Sequence, residues 1–116
     1  QMFGPSVKKI ERWAQKGKIA KLEKIIAGPN VEFREAAFKA LGQSGDHEAV
    51  THLTYYVRHP DAEFRRLAAQ AMGESGAERT VEFLRKLYRD DEDENVREAA
   101  NEAILKINEA QAAETE

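Results

Sequence analysis

The chain has 116 residues, a formal net charge of −3 and no cysteine. Hydrophobic residues make up 41% and charged residues 34% of the sequence, a composition typical of a folded, helix-rich domain. The lack of cysteine excludes disulfide bonds, thiolate metal sites and cysteine nucleophiles. No apolar run approaches the roughly 20 residues of a membrane span, and no signal peptide is apparent. We therefore expect a cytoplasmic protein whose first native residue is Met2.

Charge is unevenly distributed along the chain. Residues 1–28 contain seven basic and two acidic residues, whereas residues 91–116 contain nine acidic and two basic residues. This polarity leaves open weak nucleic-acid binding by the basic leader between Lys8 and Lys24, although the negative net charge disfavours it. It also leaves open weak head-to-tail self-association of an otherwise monomeric protein.

The first predicted elements are two short helices. The segment SVKKIERWAQ, residues 6–15, predicts a leading helix that places Trp13 over the first repeat as a cap. Apolar residues at helical spacing predict the second helix, namely Ile19, Leu22, Ile25 and Ile26. Similar short patterns begin 31 and 62 residues later, at Val50 and Val81.

Longer helices rich in alanine alternate with these short ones. GPNVEFREAAFKALGQSG, residues 28–45, aligns with HPDAEFRRLAAQAMGESG, residues 59–76, after a shift of 31. A third copy, EDENVREAANEAILKIN, occupies residues 92–108. In each copy the apolar residues recur at i, i+3, i+4, i+7 and i+8, which is one face of a helix. The predicted N-caps are Asn30, Asp61 and Asp93, and the predicted helix ends are Gly45 and Gly76.

These repeats predict an all-α solenoid, since stacking similar helix pairs buries the faces that one pair leaves open. Each unit contains a short helix A and a longer helix B, whose alanines allow close packing. We predict a single domain over residues 2–108, followed by a fraying tail at 109–116. Its parts are a leader (2–16) and three repeats (17–45, 46–76 and 77–108).

The repeat resembles the HEAT-like repeats of the phycobilin-lyase type, whose unit reads D-x-x-V-R-x-x-A-A-x-A-L-G-x-x-G-D-x-x-A. The matching stretches are NVEFREAAFKALGQSGDHEAV (30–50), DAEFRRLAAQAMGESGAERTV (61–81) and DENVREAANEAILKI (93–107). The leader also resembles that of small prokaryotic HEAT-repeat proteins. The resemblance implies a right-handed α–α superhelix whose B helices line the inner, concave side. It is specific for the fold, because the same repeat occurs in lyase subunits, hydroxylases and scaffolds.

Arg34, Arg65 and Arg97 occupy the same place in the three repeats. A line of arginines could bind phosphate groups. The resemblance favours a structural ladder between repeats instead, with each guanidinium paired to an acid near a neighbouring helix start, such as Asp61 or Asp93.

The sequence offers little for catalysis, and we expect neither a catalytic residue nor a metal or cofactor. The hydroxylase branch of the family uses repeated His–Glu pairs to hold iron, but only His47–Glu48 forms such a pair here. The acidic run RDDEDEN, residues 89–95, lacks the spacing of a calcium loop and is interpreted as a solvated loop. A subunit of a lyase- or hydroxylase-type enzyme remains the alternative.

The remaining hypothesis is a protein-binding surface on the B helices. Glu35 and Ala69 are expected to face outward, and Phe38 is unusual because an aromatic residue occupies an outward slot. Phe38 beside Arg66 would form a hot spot for a protein partner. The alternative is that the Phe38 ring packs on the next repeat or on the leader. Tyr55 and Phe83 are expected to be partly exposed on the A helices. The predicted partner-binding residues are Phe38, Lys39, Arg66, Gln70, Asn101 and Glu102.

Overall fold

The computed structural model describes residues 6–115, which fold into seven α-helices with no strand among them. The helices are α1 (Val7–Gln15), α2 (Ile19–Ala27), α3 (Val31–Ser44), α4 (His47–Tyr55), α5 (Ala62–Ser75), α6 (Val81–Asp90) and α7 (Glu94–Glu114). Two short 3₁₀ segments, Tyr56–Arg58 and Glu78–Thr80, follow α4 and precede α6. The predicted all-α helical-repeat fold is confirmed. Residues 2–5 of the predicted leader are outside the described part.

The helices form two layers. The B layer contains α1, α3, α5 and α7, which pack side by side, and the A layer contains α2, α4 and α6. Neighbouring A helices make few contacts with each other and are held mainly through the B helices. The described Cα atoms span 43 × 36 × 18 Å, as two stacked layers of helices require. None of the helices in residues 6–115 has the length and apolar composition needed to cross a membrane.

The predicted caps delimit the B helices. The Asn30 side chain accepts a hydrogen bond from the Phe33 backbone N–H at 2.9 Å. Asp61 and Asp93 cap α5 and α7 in the same way. Gly45 and Gly76 end α3 and α5 with φ of 63° and 65°, in the left-handed region that glycine adopts without strain. These residues therefore fix where each B helix begins and ends.

Close packing of the B layer explains its small residues. A Cβ added to Gly42 would lie 2.4 Å from the backbone oxygen of Ala71 in the next B helix. A Cβ added to Gly73 would lie 2.9 Å from the Cα of Ala103. Both distances are shorter than a real Cβ contact, so α3, α5 and α7 can approach this closely only because these positions lack a side chain.

The leading helix behaves as an extra B helix. Ile10 and Ala14 of α1 are buried, and α1 packs against α3. Trp13 packs against the edge of the core. The ammonium groups of Lys9 and Lys21 lie 5.4 and 5.2 Å from its ring centroid, within cation–π range. Part of the basic charge of the leader therefore covers the indole.

The last helix is longer than the sequence predicts. Helix α7 continues past the predicted boundary at residue 108 and ends at Glu114, so residues 109–114 are helical. This extension is rich in alanine, which favours helix. Ala110 is exposed and lies near the turn after α5, where its Cβ would be 3.8 Å from a Cβ added to Gly76.

Candidate functional site

A groove crosses the exposed surface of the B layer over α3, α5 and α7. This B-face groove has a volume of about 590 Å³. Its lining residues are Glu35, Phe38, Lys39, Leu67, Gln70, Ala71, Glu74, Ala99, Glu102, Ala103 and Lys106. The groove therefore spans the B helices of all three repeats.

The floor and the rim of the B-face groove differ in chemistry. Its floor contains Leu67 and the alanines Ala71, Ala99 and Ala103, whose small side chains keep the groove shallow and apolar. Its rim carries acidic and basic groups from all three helices. Across the rim, the Lys106 ammonium group donates a hydrogen bond to the Glu74 carboxylate and so links α7 to α5.

The structure brings three of the six predicted partner-binding residues to the groove as exposed side chains: Lys39, Gln70 and Glu102. Asn101 is half-buried and does not line the groove. Arg66 lies beside the groove, 4.0 Å from Glu35. Its guanidinium donates two hydrogen bonds, of 2.9 and 2.8 Å, to Glu63, and these bonds raise its pKa. Arg66 is therefore held by its own helix.

The prediction that Phe38 is an exposed hot spot is wrong. Its side chain is only 1% exposed and packs edge-on against the rings of Tyr56 and Phe64, with centroid distances of 5.0 and 6.2 Å. Ala69, the equivalent residue in α5, is also fully buried rather than outward-facing. Helical spacing placed this position at the edge of the apolar face. The next repeat, however, packs over that edge and buries it.

The repeat arginines hydrogen-bond to the turn between helix A and helix B of their own repeats. Arg34 donates to the carbonyl oxygens of Ile26 and Gly28 at 2.8 and 2.6 Å. Arg65 donates to the carbonyl oxygen of His59 at 2.7 Å, and Arg97 donates to that of Asp91 at 2.7 Å. These bonds satisfy carbonyl groups that the end of helix A leaves free.

One of these arginines also connects two repeats. The Arg65 guanidinium binds both carboxylate oxygens of Asp91 at 2.8 and 3.2 Å, and the two side chains are nearly buried. The predicted acidic partners were wrong, because Asp61 and Asp93 instead cap their own helices. Burial alone would raise the pKa of Asp91, but the hydrogen bonds from Arg65 and the Asp93 backbone N–H hold it below its usual value.

The other two arginines make no such pair among residues 6–115. His59 takes the place in repeat 2 that Asp91 takes in repeat 3, so no carboxylate faces Arg34 there. The Arg34 guanidinium instead lies 4.7 Å from the ring centroid of Phe64. The acidic run also differs from the predicted solvated loop, because Asp91 within it is nearly buried.

A second groove lies on the opposite layer, between α4 and α6. This A-face groove has a volume of about 720 Å³. Tyr55 and Phe83 are 65% and 41% exposed, and Val57 and Leu87 supply further apolar surface. The predicted partial exposure of both rings is confirmed. Sequence reasoning identified these rings but missed the groove, which depends on the spacing of the A helices.

The histidines lie apart from any metal-like cluster. Nδ1 of His52 is 3.2 Å from Oε2 of Glu23, and the His59 ring stacks on Phe64 with centroids 4.1 Å apart. Within residues 6–115, no three His, Asp or Glu side chains are grouped as metal ligands would be. His47 lies at the exposed start of α4.

The family comparison agrees with this architecture. The sequence profile described as HEAT repeats matches residues 19–105, from the start of α2 well into α7. The chain therefore belongs to the HEAT repeat family. No curated protein matches it.

Proposed function

We propose that this chain is a non-catalytic scaffold or adaptor that binds a protein partner in the B-face groove. HEAT repeats commonly mediate protein interactions, and helical solenoids use extended surfaces for that purpose. The observation that carries the proposal is one continuous groove over three B helices, with an apolar floor and a charged rim. An apolar floor supplies affinity, while a charged rim selects the partner and its orientation.

The groove favours a partner segment with small apolar side chains facing the floor and both signs of charge beside them. Lys39 on α3 and Glu102 on α7 are exposed rim residues for which residues 6–115 provide no ion pair. Glu74 and Lys106 already bind each other. We therefore expect the charges of Lys39 and Glu102 to determine which partner binds.

Site-specific cross-linking tests this proposal. A photo-reactive amino acid at Gln70, an exposed residue in the middle of the groove, is expected to capture a defined partner. The double variant Lys39→Glu/Glu102→Lys keeps the net charge and should reduce that capture by about tenfold or more. The matched control is Lys8→Glu/Glu11→Lys on α1, whose two side chains are exposed away from the groove. Equal capture by the groove variant and the control would refute the proposal.

Finer assignments stay predictions from the sequence. These are the phycobilin-lyase subtype of the repeat, a prokaryotic source and a cytoplasmic location. The enzyme-subunit and nucleic-acid alternatives also stay predictions. Each has a direct measurement: metal and bilin content of the purified protein for the enzyme, and salt-dependent binding to DNA or RNA for the basic leader.

A further inference from the structure

The two gaps between neighbouring A helices differ in the pair of side chains that faces across each gap. Between α2 and α4, the Glu23 carboxylate and the His52 ring meet at 3.2 Å and bridge the gap. The residues 31 positions later are Thr54 and Phe83. Both line the A-face groove, and no hydrogen bond joins them. The repeat thus closes its first A-layer gap with a polar bridge and leaves the equivalent second gap open.

The open gap exposes apolar surface to solvent, and this exposure does not stabilise the isolated chain. The rings of Tyr55 and Phe83 border it, and Val57 and Leu87 lie along it. Aromatic side chains concentrated in a concave surface are typical of the centre of a protein interface. In the closed gap, the positions of Tyr55 and Phe83 are taken by Lys24 and His52. The phenyl ring of Phe83 is therefore particular to the second gap, whereas Tyr55 also packs edge-on against His52.

The charges around the groove indicate the kind of segment that it accepts. Its three carboxylates already have cationic partners: Glu82 binds Arg85, Asp90 binds Arg89, and Asp91 binds Arg65. Arg58 and Lys86 also line the groove, and neither has an ion pair within the described residues. The lining itself has two cations and three carboxylates, and the three cations that pair with these carboxylates lie outside it. The charges left without a pair are therefore those of Arg58 and Lys86. The unmatched charge is positive.

We propose that the A-face groove is a second docking site, specific for an acidic segment of a partner protein. That segment would place an aromatic or leucine side chain between Tyr55 and Phe83 and a neighbouring carboxylate near Arg58 and Lys86. The site lies on the layer opposite the B-face groove. The chain could therefore hold two partners at once, as a scaffold does. The proposal is independent of what occupies the B-face groove.

Selection from a random peptide library tests the site even though the partner is unidentified. Phage displaying random peptides of about twelve residues would be panned on the immobilised full chain. Phage that bind the variant Thr54→Glu/Phe83→His would be removed first. This variant carries the Glu and His side chains that bridge the closed gap. We expect enrichment of peptides with an aromatic or leucine residue near Asp or Glu. Affinity of one such synthetic peptide, measured by calorimetry, should weaken as salt is raised.

Point variants then locate the binding. Lys86→Glu should weaken the selected peptide by about tenfold or more, and so should Phe83→Ser. The matched controls are Tyr88→Ser, an exposed aromatic residue of the same helix outside the groove, and Lys39→Glu on the B face. Both controls should keep the affinity within about twofold. Circular dichroism of each variant checks that the fold is retained.

Three results would overturn the proposal. The first is no enrichment after removal of binders to the closed-gap variant. The second is enrichment of basic peptides. The third is a selected peptide whose affinity responds to neither Lys86→Glu nor Phe83→Ser. Removal of binders to the closed-gap variant also removes peptides that bind the B-face groove, because that variant retains the groove. The selection therefore tests the A-face proposal alone, the cross-linking experiment tests the B-face proposal, and the two fail separately.

Discussion

Each of the three repeats supplies one helix to the B layer and one helix to the A layer. The two layers contribute differently to the packing between repeats. B helices touch their neighbours directly through alanine and glycine, whereas A helices are spaced apart. One layer thus carries most of the stacking between repeats. The side chains between A helices are consequently less constrained, and the two A-layer gaps have diverged into a polar bridge and an open groove.

The comparison predicts a large loss of stability for substitutions that face the next B helix and a small loss for those that face an A-layer gap. Within the B layer, the last helix supplies an internal reference. Leu105 of α7 occupies the position of Gly42 and Gly73, yet it is 53% exposed because no described helix crosses it. The requirement for glycine therefore comes from the next B helix, which packs on this position, and not from the helix that contains the glycine.

The largest effect is expected for Phe38→Ala. The Phe38 ring is buried against Tyr56 and Phe64, so its removal leaves a cavity between repeats 1 and 2. We expect the free energy of unfolding to fall by about 4 kcal/mol, measured by urea denaturation followed by circular dichroism. The control is Tyr88→Ala, an exposed ring on α6, which should cost less than about 1 kcal/mol. Similar values for both variants would contradict the burial of Phe38.

Because Phe38→Ala is expected to destabilise the fold, a loss of partner binding in this variant could reflect unfolding and would not define the binding surface.

The next largest effect is expected for Gly42→Ala. Its Cβ would lie 2.4 Å from the backbone oxygen of Ala71, so α3 and α5 would have to separate. A helix normally gains about 1 kcal/mol from glycine to alanine. Here we expect a net loss of about 2–3 kcal/mol from overpacking. Leu105→Ala, at the equivalent uncrossed position, should change stability by about 1 kcal/mol or less. Urea denaturation of both variants tests the comparison, and a stabilised Gly42→Ala would overturn the role of close helix packing.

A somewhat smaller effect is expected for Asp91→Asn, which removes the charge from the link between repeats 2 and 3. The Arg65 guanidinium would then lie nearly buried without its counter-ion, and we expect a loss of about 2 kcal/mol at neutral pH. Asp93→Asn, which keeps a capping side chain at the start of α7, should cost clearly less.

The same link makes stability depend on acid pH. The pKa of Asp91 is lower in the folded protein than its ordinary value, so the unfolded chain binds more protons. The stabilisation is present above that ordinary value and is lost as the pH falls through the folded value. Between about pH 5 and pH 2, the wild-type chain should therefore lose more stability than Asp91→Asn. Parallel losses in the two proteins would mean that the pair contributes little.

The architecture could be predicted from the sequence because the same pattern of helices recurs in each repeat. The caps at Asn30, Asp61 and Asp93 and the left-handed glycines at Gly45 and Gly76 are local features, and their physics acts within a few residues. Helical periodicity likewise identified most of the buried residues. These predictions did not depend on how one repeat contacts the next.

Features that depend on contact between repeats were harder to predict. The burial of Phe38 and Ala69 comes from the next repeat, which covers the edge of each B helix. The partner of Arg65 was misassigned because nearby acids were available, and only the fold shows that Asp91 faces the guanidinium. Aligning residue 54 with 23 and residue 83 with 52 could have revealed the open gap, but only once the Glu23–His52 bridge was known.

The smallest effect on stability is expected in the A-layer gap. Thr54→Glu/Phe83→His installs the side chains of the closed gap between α4 and α6. The new pair is near the surface and gains little, and the removed Phe83 ring is already 41% exposed. We therefore expect the free energy of unfolding to change by less than about 1 kcal/mol. The same variant should lose most of its affinity for an acidic peptide selected on the wild-type chain. A large loss of stability would show instead that Phe83 serves mainly to hold the A helices together, and the two layers would then share the stacking.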